Sequence, residues 1–249
     1  MDILSTDTHI DALDAAGRAL LEAAAAAGPD AEVPTCPGWR VRDLLRHTTA
    51  VHHWATRLVA EGHTAYLPFG GEPDHLDGDA LLAYTREGHA RLVEALRDAP
   101  EDLECWTFMP APSPRAFWAR RQTHETTVHR ADAESALAAA PGPVDPVIAA
   151  DGIDELLRGF HGRDRSRVRT DRPRTLRIRT TDGGDAWTVH LSPEVPRTET
   201  GADGPADCEL SGPADRLYLT LWNRLPYEAV TVTGDAGLAR LWRERSAVG

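Results

Sequence analysis

The sequence predicts an α+β protein in which an antiparallel four-helix bundle is followed by a small α+β domain. Three observations support this fold class. Apolar residues recur at helical spacing through the first half, a Pro/Gly segment interrupts the chain at 141–146, and from residue 176 onward apolar positions alternate with period two. The chain of 249 residues is long enough for two modest cores. We therefore expect one domain over 1–140 and a second over 146–249.

Three segments of the first half each carry one broad apolar face. The predicted helices cover residues 10–28, 41–62 and 81–96, and the first two end at glycines. The stretch 66–78 is rich in Gly, Pro and Asp, which predicts a long loop between the second and third helices.

The fourth predicted helix, which follows Pro114, differs from the others because its inward face is charged. The candidate inward positions are Arg121, Glu125, Val128, His129 and Asp132. A protein core rarely accepts so much charge. A bundle with a polar site at its centre requires such a helix.

The second domain begins with a predicted helix over 147–160. Leu176 and Ile178 then alternate with arginines, a Gly-rich turn follows at 182–184, and alternation resumes at Trp187, which predicts a β-hairpin. The remaining predicted elements are a strand at 208–210, a helix at 213–223, a strand at 229–233 and a final helix. This mixture is typical of a small α+β domain.

Charge and composition exclude several classes of protein. The formal net charge of -12 disfavours nucleic acids and anionic lipid surfaces as partners. The first ten residues lack the pattern of a secretory signal, and no apolar run approaches the ~20 residues that cross a bilayer, so we expect no membrane insertion.

The cysteine content and the choice of basic residue indicate the cellular compartment and the type of genome. Its three cysteines form neither a disulfide framework nor a paired zinc-ligand spacing, which favours the reducing cytoplasm. Every basic residue is arginine and alanine is abundant, a bias typical of a high-GC, actinobacterial genome.

Glu125 and His129 are the strongest local signal in the sequence. Four residues apart on a helix, they share one face, so a carboxylate and an imidazole can both reach a single divalent ion. The zincin pattern is absent, because His124 and His129 are five apart and diverge. A solvated ion pair on the helix surface is the alternative interpretation of this spacing.

A third ligand is available on the second helix. His47 follows Leu44 by three and precedes Val51 by four, which turns it towards the interior either as a ligand or as a hydrogen-bonded core histidine. His52 and His53 point elsewhere and are expected at the surface or behind the ligands. A His/Glu/His set leaves coordination positions open, which favours catalysis over a structural role.

Two charged neighbours are candidates to support this site. Asp132, three residues past His129, could accept the second ring hydrogen of a ligating imidazole. Arg121, one turn before Glu125, could orient its carboxylate. Both could equally form ordinary helix ion pairs. The sequence contains no dinucleotide-binding glycine motif, phosphate loop or nucleophile elbow.

These residues resemble those of the mycothiol-dependent maleylpyruvate isomerase family. The resemblance rests on the segments 37–47 and 124–132 and on Leu221-Trp222-Asn223-Arg224, and it extends over nearly the whole chain. It implies a DinB-like bundle that binds a divalent metal, usually zinc, through His47, Glu125 and His129. It also implies a second domain similar to sterol carrier proteins.

The family's named reaction converts maleylpyruvate to fumarylpyruvate with mycothiol as thiol cofactor. A metal-bound thiol is deprotonated near neutral pH, so it can add to an activated double bond, permit rotation and leave again. Addition without elimination would be an S-transferase reaction, and the sequence does not separate the two. The resemblance also implies a functional arginine. We assign it to Arg224, where a guanidinium could bind a substrate carboxylate.

The expected partners are a small electrophilic substrate and a low-molecular-weight thiol, with the chain as a monomer or small homo-oligomer. One competing interpretation is a metal-dependent hydrolase, in which the ion activates water and no thiol is needed. A second is a non-catalytic carrier of a metal or small ligand, which predicts binding without turnover. A degenerate site would have lost a ligand, whereas all three are present.

Overall fold

The computed structural model describes residues 4–138 and 140–248, which divide into two compact units on either side of the bond between residues 142 and 143. The predicted α+β class is confirmed, with a helical N-terminal unit and a C-terminal unit built on a five-stranded sheet. Among the described helices, none combines the length and the apolar character that crossing a bilayer requires.

Four long helices form the N-terminal unit: α1 (Thr6–Ala27), α2 (Val41–Ala60), α3 (Gly78–Asp98) and α4 (Pro114–Ser135). Local sequence sets their ends. The hydroxyl of Ser5 accepts from the backbone amide of Thr8 at the start of α1, and Ser113 caps α4 in the same way. Gly28, at a φ of 82°, follows α1 in a conformation that glycine adopts without strain.

Helix directions in the bundle follow from cross-helix contacts. Each of α1 and α2 packs mainly against both α3 and α4. Arg115 pairs with Asp7 near the start of both helices, so α1 and α4 run parallel. Thr49 contacts Thr85, and one turn later His52 lies against His89, so α2 and α3 also run parallel. The helices that pack most extensively are therefore parallel, not antiparallel as predicted. The long connection over 61–77 returns the chain to the end where α3 begins.

The charged inward face predicted for α4 is confirmed. Arg121, His129 and Asp132 are buried there, beside the fully buried Trp118. Because α4 packs against both α1 and α2, two of its sides are covered. The interior of the bundle is therefore polar at the level of residues 121–132, and leucine-rich towards residue 133, where Leu20, Leu44 and Leu81 meet.

The described residues of the C-terminal unit form three α-helices and five strands. They are α5 (Pro146–Asp154), which continues as a π-helical turn (Glu155–Phe160), β1 (Arg174–Thr180), β2 (Ala186–Leu191), β3 (Arg197–Thr200), β4 (Cys208–Gly212), α6 (Ala214–Leu221), β5 (Thr231–Gly234) and α7 (Ala236–Arg245). The strand order is β3-β2-β1-β4-β5, with β1 and β4 parallel and all other pairs antiparallel.

The predicted hairpin is confirmed, with Ile178 opposite Trp187. The strand expected over 229–233 begins later, at Thr231, because Tyr227–Ala229 forms a 3-10 turn. The edge strand β3 was not predicted. Its four residues are all polar, and its identity as a strand depends on pairing with β2.

A close approach of α1 and α3 provides a test of the bundle packing. A methyl group on Gly17 would lie 2.2 Å from the ring of His89, which is buried against His52. Gly17→Ala should therefore lower the free energy of unfolding by about 1–2 kcal/mol, since overpacking outweighs the gain of about 1 kcal/mol in helix propensity.

Gly71→Ala is the matched control, because in that loop no atom of the described residues, apart from Gly71 and its chain neighbours, lies within 4 Å of the added methyl. It should change the free energy of unfolding by less than about 0.5 kcal/mol in urea denaturation. Equal stability of the Gly17→Ala variant and the wild type would show that α1 and α3 are not packed this closely.

Candidate metal centre

Two histidines and one carboxylate meet between α2 and α4. His47 Nε2 lies 3.4 Å from Glu125 Oε1, and His129 Nε2 lies 3.2 Å from the same oxygen. The possible ligand atoms of the three residues all lie within 4.8 Å of one another. Because α4 places Glu125 and His129 one turn apart, only His47 had to be brought in from another helix.

The supporting residues named in the sequence analysis flank this cluster. His129 Nδ1 donates to Asp132 Oδ2 over 2.9 Å, which leaves Nε2 facing Glu125. Arg121 Nη2 donates to Glu125 Oε2 over 3.2 Å, and its side chain is only 4% exposed. Both contacts run along α4 at spacings of three and four residues.

Two neighbours of the cluster were not predicted to lie there. The Trp39 ring lies 5.2 Å from the His47 ring and stacks 6.4 Å from the His129 ring, so it forms one wall of the cluster. Glu72 Oε1 lies 3.9 Å from His47 Nδ1. Trp39 lies two residues before α2, in the segment that carried the family resemblance, and could have been suspected from its position, whereas nothing in the loop sequence distinguishes Glu72.

The electrostatics of the cluster favour charged forms despite burial. Burial disfavours the ionised Glu125, but hydrogen bonds with His129 and His47, helped by Arg121, hold the pKa of this carboxyl well below its usual range. Burial also opposes protonation of His129, yet hydrogen bonds to Asp132 and Glu125 raise the pKa of that ring to about 9. Without a metal ion, His129 is therefore a cation near neutral pH.

The two histidines that follow on α2 differ from each other. His52 is 1% exposed and its Nε2 lies 2.9 Å from Thr126 Oγ1, so of its two expected positions the surface one is wrong, and His52 lies inside the bundle beside the residue that follows Glu125. The reason is that α2 packs against α3 as well as α4, which covers a second side of the helix. Burial, together with neighbouring His89, lowers the pKa of His52 well below its usual value. His53 is partly buried, with Nδ1 3.4 Å from the Tyr84 hydroxyl.

Arg224 belongs to the C-terminal unit and directly follows Asn223, beyond the end of α6. Its side chain is partly buried, and its Nη1 donates to the carbonyl of Trp222 over 2.9 Å. Asn223 has a φ of 63° and donates from Nδ2 to Arg243 O (3.1 Å) and Ser246 Oγ (3.3 Å). A left-handed asparagine anchored to the end of α7 thus fixes the backbone from which Arg224 extends.

The donor set of the bundle cluster fits a divalent transition metal. Two imidazole nitrogens and a carboxylate oxygen are ligands that zinc accepts. The Asp132 contact keeps the proton of a neutral His129 on Nδ1, so that Nε2 has a free lone pair. The side chains of His47 and Glu125 remain 27% and 23% exposed, so the cluster has an open side. Fold and site together define a two-unit α+β protein with a candidate metal centre in its helical unit.

Comparison with known families agrees with this architecture. Residues 10–134 match the family described as the mycothiol maleylpyruvate isomerase N-terminal domain, and residues 147–241 match the MDMPI C-terminal domain. The chain therefore belongs to the mycothiol-dependent maleylpyruvate isomerase family, an enzyme family of the isomerase and transferase type.

Two solved structures share the fold. Both are of the mycothiol-dependent maleylpyruvate isomerase, one of them a point mutant, and each is similar with a TM-score of 0.63 and 16% sequence identity. Each comparison covers 92% of this chain and 93% of the other. No curated protein matches the sequence significantly.

The raised pKa of His129 makes the stability of the metal-free protein dependent on pH. Because the folded-state pKa of about 9 exceeds the ~6.5 of an unfolded histidine, this contribution is complete below about pH 6.5 and is lost as the pH rises through 9. Chelator-treated protein should lose on the order of 3 kcal/mol of unfolding free energy over that range in urea denaturation.

Asp132→Asn removes the charged acceptor of His129 and should reduce this loss by at least half. Asp102→Asn, at an exposed position between α3 and α4, is the control and should leave the pH dependence unchanged. Identical pH profiles for the Asp132→Asn variant and the wild type would contradict the assigned protonation of His129.

The anchoring of Asn223 predicts a specific order of stabilities. Asn223→Gly loses two side-chain hydrogen bonds but keeps the backbone conformation, at a cost of about 1–2 kcal/mol. Asn223→Ala should cost about 1 kcal/mol more, because alanine resists a positive φ. Urea denaturation of both variants measures the difference, and a glycine variant less stable than the alanine variant would refute this account.

Proposed function

We propose that this chain is a metal-dependent, mycothiol-using enzyme of the maleylpyruvate isomerase type, acting on a small electrophilic substrate. The observation that carries the proposal is the convergence of His47 Nε2 and His129 Nε2 on one oxygen of Glu125 in a member of this family. His47, Glu125 and His129 would hold the ion, which we expect to be zinc. When bound, such an ion lowers the pKa of a coordinated thiol and so supplies a thiolate near neutral pH.

The other residues of the cluster have separate tasks in this proposal. Asp132 accepts the Nδ1 hydrogen of His129 and so fixes the ring with Nε2 towards the ligand position. Arg121 holds the second oxygen of Glu125 and offsets its charge inside the bundle. Trp39 limits the motion of both imidazole rings by packing against them. These contacts prearrange the ligand atoms, which reduces the reorganisation needed on binding.

Substrate binding requires a group that recognises carboxylates, and we assign this role to Arg224. A guanidinium binds a carboxylate in a bidentate manner and stays charged at any working pH. The ordered backbone at Asn223 supports such a role because it restricts where the arginine can extend. We further propose the sequence domains 1–140 and 146–249 as the functional units of a cytoplasmic, actinobacterial-type enzyme.

Two reactions are compatible with this site. In the first, a thiolate adds to an activated double bond, the substrate rotates about the resulting single bond, and the same thiolate leaves. The substrate is isomerised with no net change in atoms. If the carbanion formed by this addition instead takes up a proton, the product is a stable thioether and the reaction is an S-transferase reaction. The isomerase is our first choice because the family is named for it.

Metal content and thiol dependence test the proposal together. We expect purified protein to carry about one divalent ion per chain by inductively coupled plasma mass spectrometry, and His47→Ala, Glu125→Ala and His129→Ala each to lose it. His63→Ala is a matched control, because His63 is a partly exposed histidine that contacts Glu61 over 2.5 Å and is not one of the three ligands. That variant should retain the ion.

Activity is then measured with maleylpyruvate and with a fluorogenic electrophile, each with and without mycothiol. The proposal expects turnover only with the thiol, and a loss of at least about 100-fold in each ligand variant. Thiol-independent hydrolysis of an ester or amide substrate would favour a metal-dependent hydrolase. Protein that neither carries nor takes up a divalent ion would refute the metal centre and favour a ligand carrier.

A further inference from the structure

A cavity of about 220 Å³ lies between α2, α3 and the loop that connects them. Its polar lining comes from His53 and Arg57 of α2, Glu72 and His75 of the loop, and Tyr84 of α3. All of these residues belong to the N-terminal unit. None of them is a proposed ligand of the metal centre, so the cavity is distinct from the His47/Glu125/His129 cluster.

The cavity and the metal centre share a wall. Glu72 lines the cavity, and its Oε1 is 3.9 Å from His47 Nδ1 on the side of the ring that faces away from Glu125. Ala50, another lining residue, follows His47 by three positions on α2. Because Glu72 lies against the His47 ring, the cavity and the metal cluster are separated by about the width of that ring, a distance that one elongated ligand can span.

The chemistry of the lining favours hydroxyl groups. Arg57 and Glu72 carry opposite charges that offset each other, which disfavours a ligand with a large net charge. The Tyr84 hydroxyl, paired with His53 Nδ1 at 3.4 Å, and the imidazole of His75 can both donate and accept hydrogen bonds. Hydroxyl groups on a ring satisfy such a mixed set.

A rigid aromatic wall completes the cavity. Trp54 Nε1 donates to the carbonyl of Leu67 over 2.7 Å, and its ring packs edge-on against Trp118. The indole face cannot rotate away without breaking both contacts. Aromatic faces of this kind pack against the C–H surface of sugar and polyol rings, while the polar groups around them bind hydroxyls.

Size restricts the occupant further. Pockets that enclose whole drug-sized ligands measure about 300–1,000 Å³. At about 220 Å³, this cavity accommodates one ring of a ligand whose remainder lies elsewhere.

We propose that this cavity is a subsite for one hydroxylated ring of the thiol cofactor, whose thiol end lies at the metal centre. The inference rests on the proposed function, because it takes mycothiol, a thiol that carries sugar and polyol rings, as the cofactor. The cavity would then select this thiol over smaller ones, while His47, Glu125 and His129 engage the sulfur end.

Direct binding of a thiol-free probe tests the subsite independently of activity. The probe is glucosaminyl inositol, the part of mycothiol that lacks cysteine, followed by saturation-transfer NMR on the full chain. We expect binding to the wild type and to the Glu125→Ala variant, which lacks a metal ligand but keeps the cavity. Tyr84→Phe and Arg57→Gln should each weaken binding about fivefold, the effect of one hydrogen bond.

Arg18→Gln is the matched control, because Arg18, like Arg57, forms an exposed ion pair at a spacing of four residues but lies on α1, away from the cavity. It should leave binding unchanged. Absence of probe binding to wild-type protein that shows mycothiol-dependent activity would overturn the subsite, as would equal binding by all variants.

Steady-state kinetics provides the second readout. Tyr84→Phe and Arg57→Gln should raise the KM for mycothiol about fivefold, with little change in kcat or in the KM for the electrophile. A rise confined to the KM for the electrophile would assign the cavity to the substrate and overturn the proposal. If the chain shows no thiol-dependent activity, the proposed function fails, while probe binding still decides whether the cavity recognises hydroxylated rings.

Discussion

A row of four charged groups along one face of α4 is the constraint on which the candidate site depends. Arg121, Glu125, His129 and Asp132 alternate in charge when His129 is protonated, and each contacts the next over 2.9–3.2 Å. Isolated buried charges are costly, and a row of alternating partners offsets that cost. The same contacts fix the geometry of Glu125 and His129. Removing one member would therefore alter both the protonation and the position of its neighbours.

Other buried polar groups of the bundle form hydrogen bonds within their own helices. Thr48, Thr49 and Thr85 are buried, and each hydroxyl donates to a carbonyl one turn earlier on its own helix. Such hydroxyls are satisfied within their own helix, so they can be buried without a charged partner. The parallel run of α2 and α3 requires the long connection over 61–77, and that connection also supplies Glu72 beside His47. The loop thus joins two parallel helices and also places a side chain near the site.

The C-terminal unit is held by a more conventional core. Leu176, Ile178, Val189 and Leu210 are fully buried at the centre of the sheet, and α6 covers strands β1 and β4. The helix ends at a left-handed asparagine, and family members of low sequence identity retain this α+β fold. Apolar period-two patterns predicted the central strands correctly. They failed for β3, which consists of polar residues and is defined by its hydrogen bonds to β2.

Local spacings of two, three or four residues were enough to predict the helices, the central hairpin and the pairing of Glu125 with His129. The sequence by itself also indicated that His47 faces inward, since the apolar residues around it mark one side of α2. Whether His47 lies near Glu125, 78 residues away, depended on the packing of α2 against α4. Tertiary structure alone decided the burial of His52, the wall formed by Trp39 and the approach of Glu72. Those contacts join elements whose directions and connections no local pattern encodes.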